Sequence, residues 1–192
     1  VNERTDLYPD DISLARAYAS ALTEEIDEIV KEGCDYIQFD EPVWTENVSE
    51  TLWAAEILNE IIEKFPSVDF NLHVCGGNAH RKRGFFGKYT DMIEGFKILK
   101  VNEIHLEHCS LHYKMLDVFK NWNFDGRISL GVIDQRIDRI ESEEDIINAI
   151  KPALDYFPKE KILLTSECGF GHVPIDIVRN KIKILVSVAK KL

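Results

Sequence analysis

Helical and strand-like periodicities take turns along the whole of this chain. Apolar residues spaced for a helix fill "SLARAYASALTEEIDEIVKEG" (13–33), with Asp11 or Ser13 as the expected cap and Gly33 as the stop. "CDYIQFDEP" then reads as a strand closed by Pro42. The amphipathic helix "SETLWAAEILNEIIEKF" (49–65), with Leu52, Ile57, Ile61 and Phe65 on one stripe, leads to the strand "VDFNLHVC". "YTDMIEGFKIL", "YKMLDVFKNW", "SEEDIINAIKPALDYF" and "DIVRNKIKILVSVAKKL" read as helices, with Pro152 a kink or break in the third of these. The strands between them are "VNEIHLE", "RISLGVID" and "KILLTSECGFG".

Alternation of this kind specifies βαβ crossovers and a parallel sheet, hence an α/β fold. The count is five strands. A (β/α)₈ barrel needs eight strands and typically about 250 residues; this chain has 192. An open doubly wound sheet is the other arrangement that five such units allow. No composition shift marks a domain boundary.

The net charge of −11 argues against a nucleic-acid or anionic-membrane partner, because phosphate recognition uses clustered Lys and Arg. The one basic cluster, "HRKRGFFGK" (80–88), is local. No apolar run approaches a membrane span. The opening "VNERTDLYPDD" does not read as a signal peptide. Cys34, Cys75, Cys109 and Cys168 are widely spaced without a CxxC pair, which favours metal binding or catalysis over disulfides, in a cytoplasmic setting.

Each strand ends on a chemically capable residue: Asp40-Glu41, His73 with Cys75, Glu107, Asp134, and Glu167-Cys168. In parallel α/β folds, sites form at these carboxyl ends. Along "DFNLHVC" the period of two puts Asp69, Asn71, His73 and Cys75 on one face and Phe70, Leu72 and Val74 on the other. His73 and Cys75 make a local donor pair, and Glu107 and Cys168 can complete a tetrahedral zinc site. Thiolates favour zinc over magnesium or calcium, and Gly76 and Gly77 let a substrate approach the backbone beside the metal. His105, His108, Cys109 and His112 in "EIHLEHCSLH" are competing donors; His105 is also readable as a partner behind the ligands or a satisfied core histidine, and His108, Cys109 and His112, past the strand end, as surface or packing residues.

These segments resemble the C-terminal catalytic domain of cobalamin-independent methionine synthase. "YIQFDEP" resembles that family's strand ending in Asp-Glu-Pro, and "LHVCGGN" its His-x-Cys zinc pair. "IHLEHC" resembles the segment with its zinc-binding Glu. "LGVIDQRIDRIES" and "SECGFG" resemble its Gly-Val-x-Asp segment and the turn bearing its second zinc Cys. The resemblance implies a TIM (β/α)₈ barrel of the methionine synthase/uroporphyrinogen decarboxylase type. Residues 1–192 would be the C-terminal part of that one catalytic domain, holding its last five βα units. It implies Zn²⁺ on His73, Cys75, Glu107 and Cys168, with Asp40 binding the amino group of the substrate. The implied reaction moves a methyl group from 5-methyltetrahydrofolate, in polyglutamate form, to homocysteine, giving methionine.

Two departures stand out. Glu167 takes the place of an Asp before the zinc Cys, and Arg136 stands where the long enzymes place a histidine proposed to move protons. The "NAHRKRGFFGKY" stretch resembles shorter single-barrel relatives. Alternatives are a zinc thiol-alkyltransferase with a methylcorrinoid donor or coenzyme M as acceptor, and an inactive zinc-binding fragment that waits on the N-terminal part of its barrel.

Overall fold

The computed structural model describes residues 7–111 and 114–192. Its first helix, α1 (Asp11–Lys31), is capped by Asp10, whose carboxylate accepts from the Ser13 N–H at 2.7 Å. The cap therefore falls one residue before the expected Asp11. Ser13 is the third helical residue, where its N–H is one of the orphan donors that a cap satisfies. The helix ends as expected at Gly33, whose φ of 96° is the left-handed region. Gly33 N–H donates to Val30 O at 3.0 Å and Cys34 N–H to Ile29 O at 3.1 Å, the paired bonds of a Schellman motif.

Five strands follow: β1 (Tyr36–Glu41), β2 (Asp69–Val74), β3 (Glu103–Glu107), β4 (Arg127–Ile133) and β5 (Ile162–Ser166). They form one sheet in the order β1-β2-β3-β4-β5, and every neighbouring pair is parallel. A doubly wound sheet reverses its strand order; this one does not, which leaves the barrel-type arrangement. β1 and β5 are its two edges, so the barrel is not closed among the described residues. The register sets Asp40 beside His73 and His73 beside His105.

The convex face packs on α2 (Thr51–Ile62), α3 (Ile93–Ile98), α4 (Glu143–Ile150) and α5 (Ile175–Ala189). Phe70, Leu72, Val74, Ile104, Leu106, Ile128 and Leu130 are fully buried there, as the alternation of β2 requires. Ile57, Ile61 and Phe65 join the core, but Leu52 is exposed. At 100° per residue Leu52 lies about 140° from Ile57 around the axis, off the buried stripe. Pro152 breaks the helix expected over 142–157: α4 stops at Ile150 and a 3₁₀ turn, Lys151–Asp155, carries the proline near its start. The helix expected over 113–122 is a 3₁₀ segment, Lys114–Lys120; Tyr113 lies outside the described residues.

The concave face is polar, and several of its groups pair with one another. Asn71 donates to Gln38 at 2.8 Å. Arg127 bridges Asp69 at 2.6 Å and Glu103 at 3.1 Å, and Ser129 donates to Glu103 at 2.5 Å. This network supplies the buried Glu103 carboxylate with hydrogen-bond partners. Among the described residues no helix is long and apolar enough to cross a membrane.

Candidate metal centre

Three of the four donors expected from the sequence converge. His73 is the penultimate residue of β2, Cys75 follows that strand directly, and Cys168 lies two residues beyond β5. The candidate ligand atoms of these three all lie within 4.8 Å of one another. The two sulfurs are 3.5 Å apart and all four cysteines are free. β2 can deliver its pair because Cys75 N–H still bonds to Glu41 O, at 3.1 Å, which holds the residue in line with the strand.

The His73 ring is fixed from behind. Its Nδ1 lies 3.3 Å from the His105 carbonyl oxygen, so Nδ1–H donates there and Nε2 carries the lone pair. That Nε2 is buried and has no hydrogen-bond partner. A buried nitrogen without a partner is costly, and a cation held with the two sulfurs would satisfy it. The nearest acid is Asp40, with Oδ1 at 3.8 Å. His105 stacks on His73 with ring centroids 4.0 Å apart, and its own Nε2 lies 2.8 Å from Ser166 O. Burial, and then the adjacent His73 ring, pushes His105 down to about 3, so it stays neutral behind the donors.

The sulfurs divide one proton between them. The hydrogen bond from the Cys168 thiol, and then the adjacent His73 and Asn78, hold Cys75 far below the ordinary thiol range against the opposing effect of burial. The same Cys75 sulfur, together with burial, pushes Cys168 up. Gly77 N–H donates to Cys75 Sγ at 3.3 Å and Asn78 Nδ2 at 3.6 Å, as donors around a thiolate should. Burial opposes charge on His73, yet the Cys75 sulfur and Asp40 outweigh it and raise the imidazole.

Glu107, the fourth expected donor, stands beside this group rather than in it. It is fully buried. Oε1 accepts from Gly76 N–H at 2.8 Å and Asn78 Nδ2 at 2.5 Å, and Oε2 accepts from Arg83 at 2.5 Å. Asp40 sits at the open edge of the sheet with its side chain 62% exposed. Burial of the remainder raises its carboxyl above the ordinary value. Arg136 donates to Asp134 at 2.8 Å and pairs with Glu167, whose Oε1 ties down the loop after β3 through the N–H groups of His108 and Ser110 at 3.0 and 2.7 Å.

Of the competing donors, His108 is buried away from the group, with Nε2 2.6 Å from Ala149 O. Burial pushes the Cys109 thiol up, and the residue lines a cavity of about 240 Å³ with Asp134 and Glu141. His112 lies outside the described residues. Sequence reasoning missed Arg83 and Asn78. The basic cluster containing Arg83 looked merely local, and Asn78 was legible only as the residue closing "CGGN".

A segment of parallel β/α barrel with a His-Cys-Cys group at its carboxyl edge defines the class: barrel proteins able to hold a soft metal among strand-end side chains. Comparison with known proteins narrows this. The family model of the cobalamin-independent synthase catalytic domain matches residues 6–191, and the chain belongs to that family. It is 28% identical over 172 residues to a methionine synthase of Saccharolobus solfataricus, covering 90% of this chain and 48% of that one. It is 31% identical over 185 residues to a methionine synthase of Sulfurisphaera tokodaii, covering 96% and 51%. The fold matches a B12-independent methionine synthase from Shewanella sp. W3-18-1, solved with selenomethionine. The TM-score is 0.79 at 24% identity, over 97% of this chain and 56% of that one. The chain thus spans about half the length of the curated relatives it matches.

Proposed function

We propose that this chain carries the metal centre of a zinc-dependent methyltransferase that moves a methyl group from 5-methyltetrahydrofolate to the sulfur of homocysteine, forming methionine. The observation that carries the reading is the buried, unpartnered His73 Nε2 facing two cysteine sulfurs. His73, Cys75 and Cys168 would hold the zinc, with Glu107 as a weakly held fourth protein donor able to yield its place to the substrate sulfur. Bound zinc supplies the positive charge that lets a substrate thiol exist as thiolate at neutral pH.

The chain's own residues do the rest. The His105 carbonyl and ring hold His73 in the tautomer that offers Nε2. Gly77 N–H and Asn78 stabilise Cys75 as a thiolate. Asp40, exposed at the mouth and 3.8 Å from His73 Nε2, would accept the ammonium group of the amino acid. That position would put the substrate's thiol end toward the sulfurs. In the whole protein the chain would be the C-terminal part of a single (β/α)₈ catalytic domain, with the remaining units covering the edges at β1 and β5.

A different methyl donor is the second reading, and Arg136 favours it. Locked between Asp134 and Glu167, this arginine cannot take up a proton as a histidine does. The test measures bound metal and methionine formation in the whole protein, with methylfolate and methylcobalamin assayed side by side. Zinc with methylfolate turnover supports the first reading and methylcobalamin turnover alone the second. Metal-free protein that forms methionine would refute both.

A further inference from the structure

The loop after β2 is folded so as to put one guanidinium on one buried carboxylate. Gly84 N–H donates to Gly76 O at 3.0 Å and Phe85 N–H to the same oxygen at 2.9 Å, which turns residues 76–85 back on themselves. Arg83 Nε then donates to Phe85 O at 2.8 Å, and Arg83 reaches Glu107 Oε2 at 2.5 Å. The Arg83 side chain is 9% exposed and that of Glu107 is 0%. A Cβ on Gly76 would stand 2.9 Å from Arg83 Cζ and 3.0 Å from Glu107 Oε1, so this glycine leaves room for the ion pair. Asn78 Nδ2 touches Glu107 Oε1 at 2.5 Å and Cys75 Sγ at 3.6 Å, which places the carboxylate one side chain from the metal group.

We infer that Arg83 is a positioning residue that competes with the metal for the Glu107 carboxylate, and so keeps the fourth coordination position available to a substrate sulfur. This rests on the metal reading proposed above. The charges give the reason. Zinc with two thiolates and a neutral imidazole is already neutral, so Glu107 gains less there than at a bare dication. A buried carboxylate paired with a buried guanidinium through a short charge-assisted bond has a strong alternative partner. Removing the guanidinium leaves Glu107 buried without a countercharge, and the metal is then its nearest one. The site closes on four protein ligands and resists the incoming thiol.

The test is cobalt(II) substitution of the protein, read by sulfur-to-cobalt charge transfer and titrated with L-homocysteine. The parent protein should show the charge-transfer band, and homocysteine should strengthen it. Arg83→Gln should retain the band and bind homocysteine roughly tenfold or more weakly, the scale of effects from groups that orient metal ligands. Arg83→Lys should lie between them. The double variant Arg83→Gln with Glu107→Gln, which replaces the ion pair by two neutral amides, should bind homocysteine more tightly than Arg83→Gln, because Arg83 acts only through the carboxylate. It also covers the case in which Arg83→Gln alone fails to fold. Homocysteine binding by Arg83→Gln equal to that of the parent, or a double variant no better than the single, overturns the inference while leaving the metal reading in place. No charge-transfer band in the parent overturns both.

Discussion

Cys75 and Cys168 are 93 residues apart in sequence, and their sulfurs are 3.5 Å apart in space. They follow β2 and β5, which are separated in the sheet by β3 and β4. At the usual strand spacing a flat sheet would put those strands about 14 Å apart. The sulfurs meet because the sheet curls and both residues point into the concave side. The candidate metal group is therefore a product of barrel curvature, present although five strands do not close a barrel.

Chelation should expose this pair. Treatment of the zinc-loaded protein with a strong chelator should make the Cys75 and Cys168 thiols newly reactive toward an aromatic disulfide reagent. Mass mapping of the labelled peptides identifies them. Labelling of Cys34 and Cys109 alone, before and after chelation, would count against the assignment.

Asp40→Asn keeps the shape of the mouth and removes the charge offered to an ammonium group. The expected outcome is a KM for homocysteine raised roughly tenfold or more, as for loss of a charge-assisted contact, at unchanged zinc content. Steady-state kinetics of the whole protein and metal analysis check it. Zinc loss in this variant would make Asp40 part of the metal site instead.

Gly131 and Gly169 should respond differently to alanine. A Cβ at Gly131 would lie 2.7 Å from the Glu167 backbone Cα, whereas at Gly169 it would meet nothing within 4 Å. Gly131→Ala should cost about 1–3 kcal/mol through overpacking and weaken metal retention by shifting Cys168. Gly169→Ala should do neither. Denaturant unfolding with metal analysis of both variants separates the cases.

Lys181 on α5 is fully buried and donates to Glu141 at 2.9 Å and to Arg139 O at 2.6 Å. Glu141 in turn accepts from Asp134 N–H at 3.0 Å. Lys181→Met should cost about 3–5 kcal/mol, because it strands a buried carboxylate. Adding Glu141→Gln should recover most of that loss while keeping the acceptor for Asp134. Equal unfolding free energies for the single and double variants would contradict this.

The sequence carried the strand order's raw material well. Period-two alternation in "DFNLHVC" separated the helix-facing Phe70, Leu72 and Val74 from the inward His73, and strand-end position singled out Cys168. The departures have local causes. Leu52 fell off the buried stripe because five residues do not return to the same helix face, and Asp10 took the cap one residue before Asp11. Arg83 could not be read from sequence, since its pairing with Glu107 depends on a loop that folds back through carbonyl contacts at Gly76. Long-range ion pairs of this kind leave no periodic trace.

Zinc K-edge absorption of the purified protein, beside its Cys168→Ser and Cys109→Ser variants, decides whether the His73, Cys75 and Cys168 group is a metal centre. The parent and Cys109→Ser should each show two sulfur scatterers at about 2.3 Å, and Cys168→Ser should show one or lose the metal. A parent without zinc, or two sulfur scatterers persisting at full occupancy in Cys168→Ser, would contradict it.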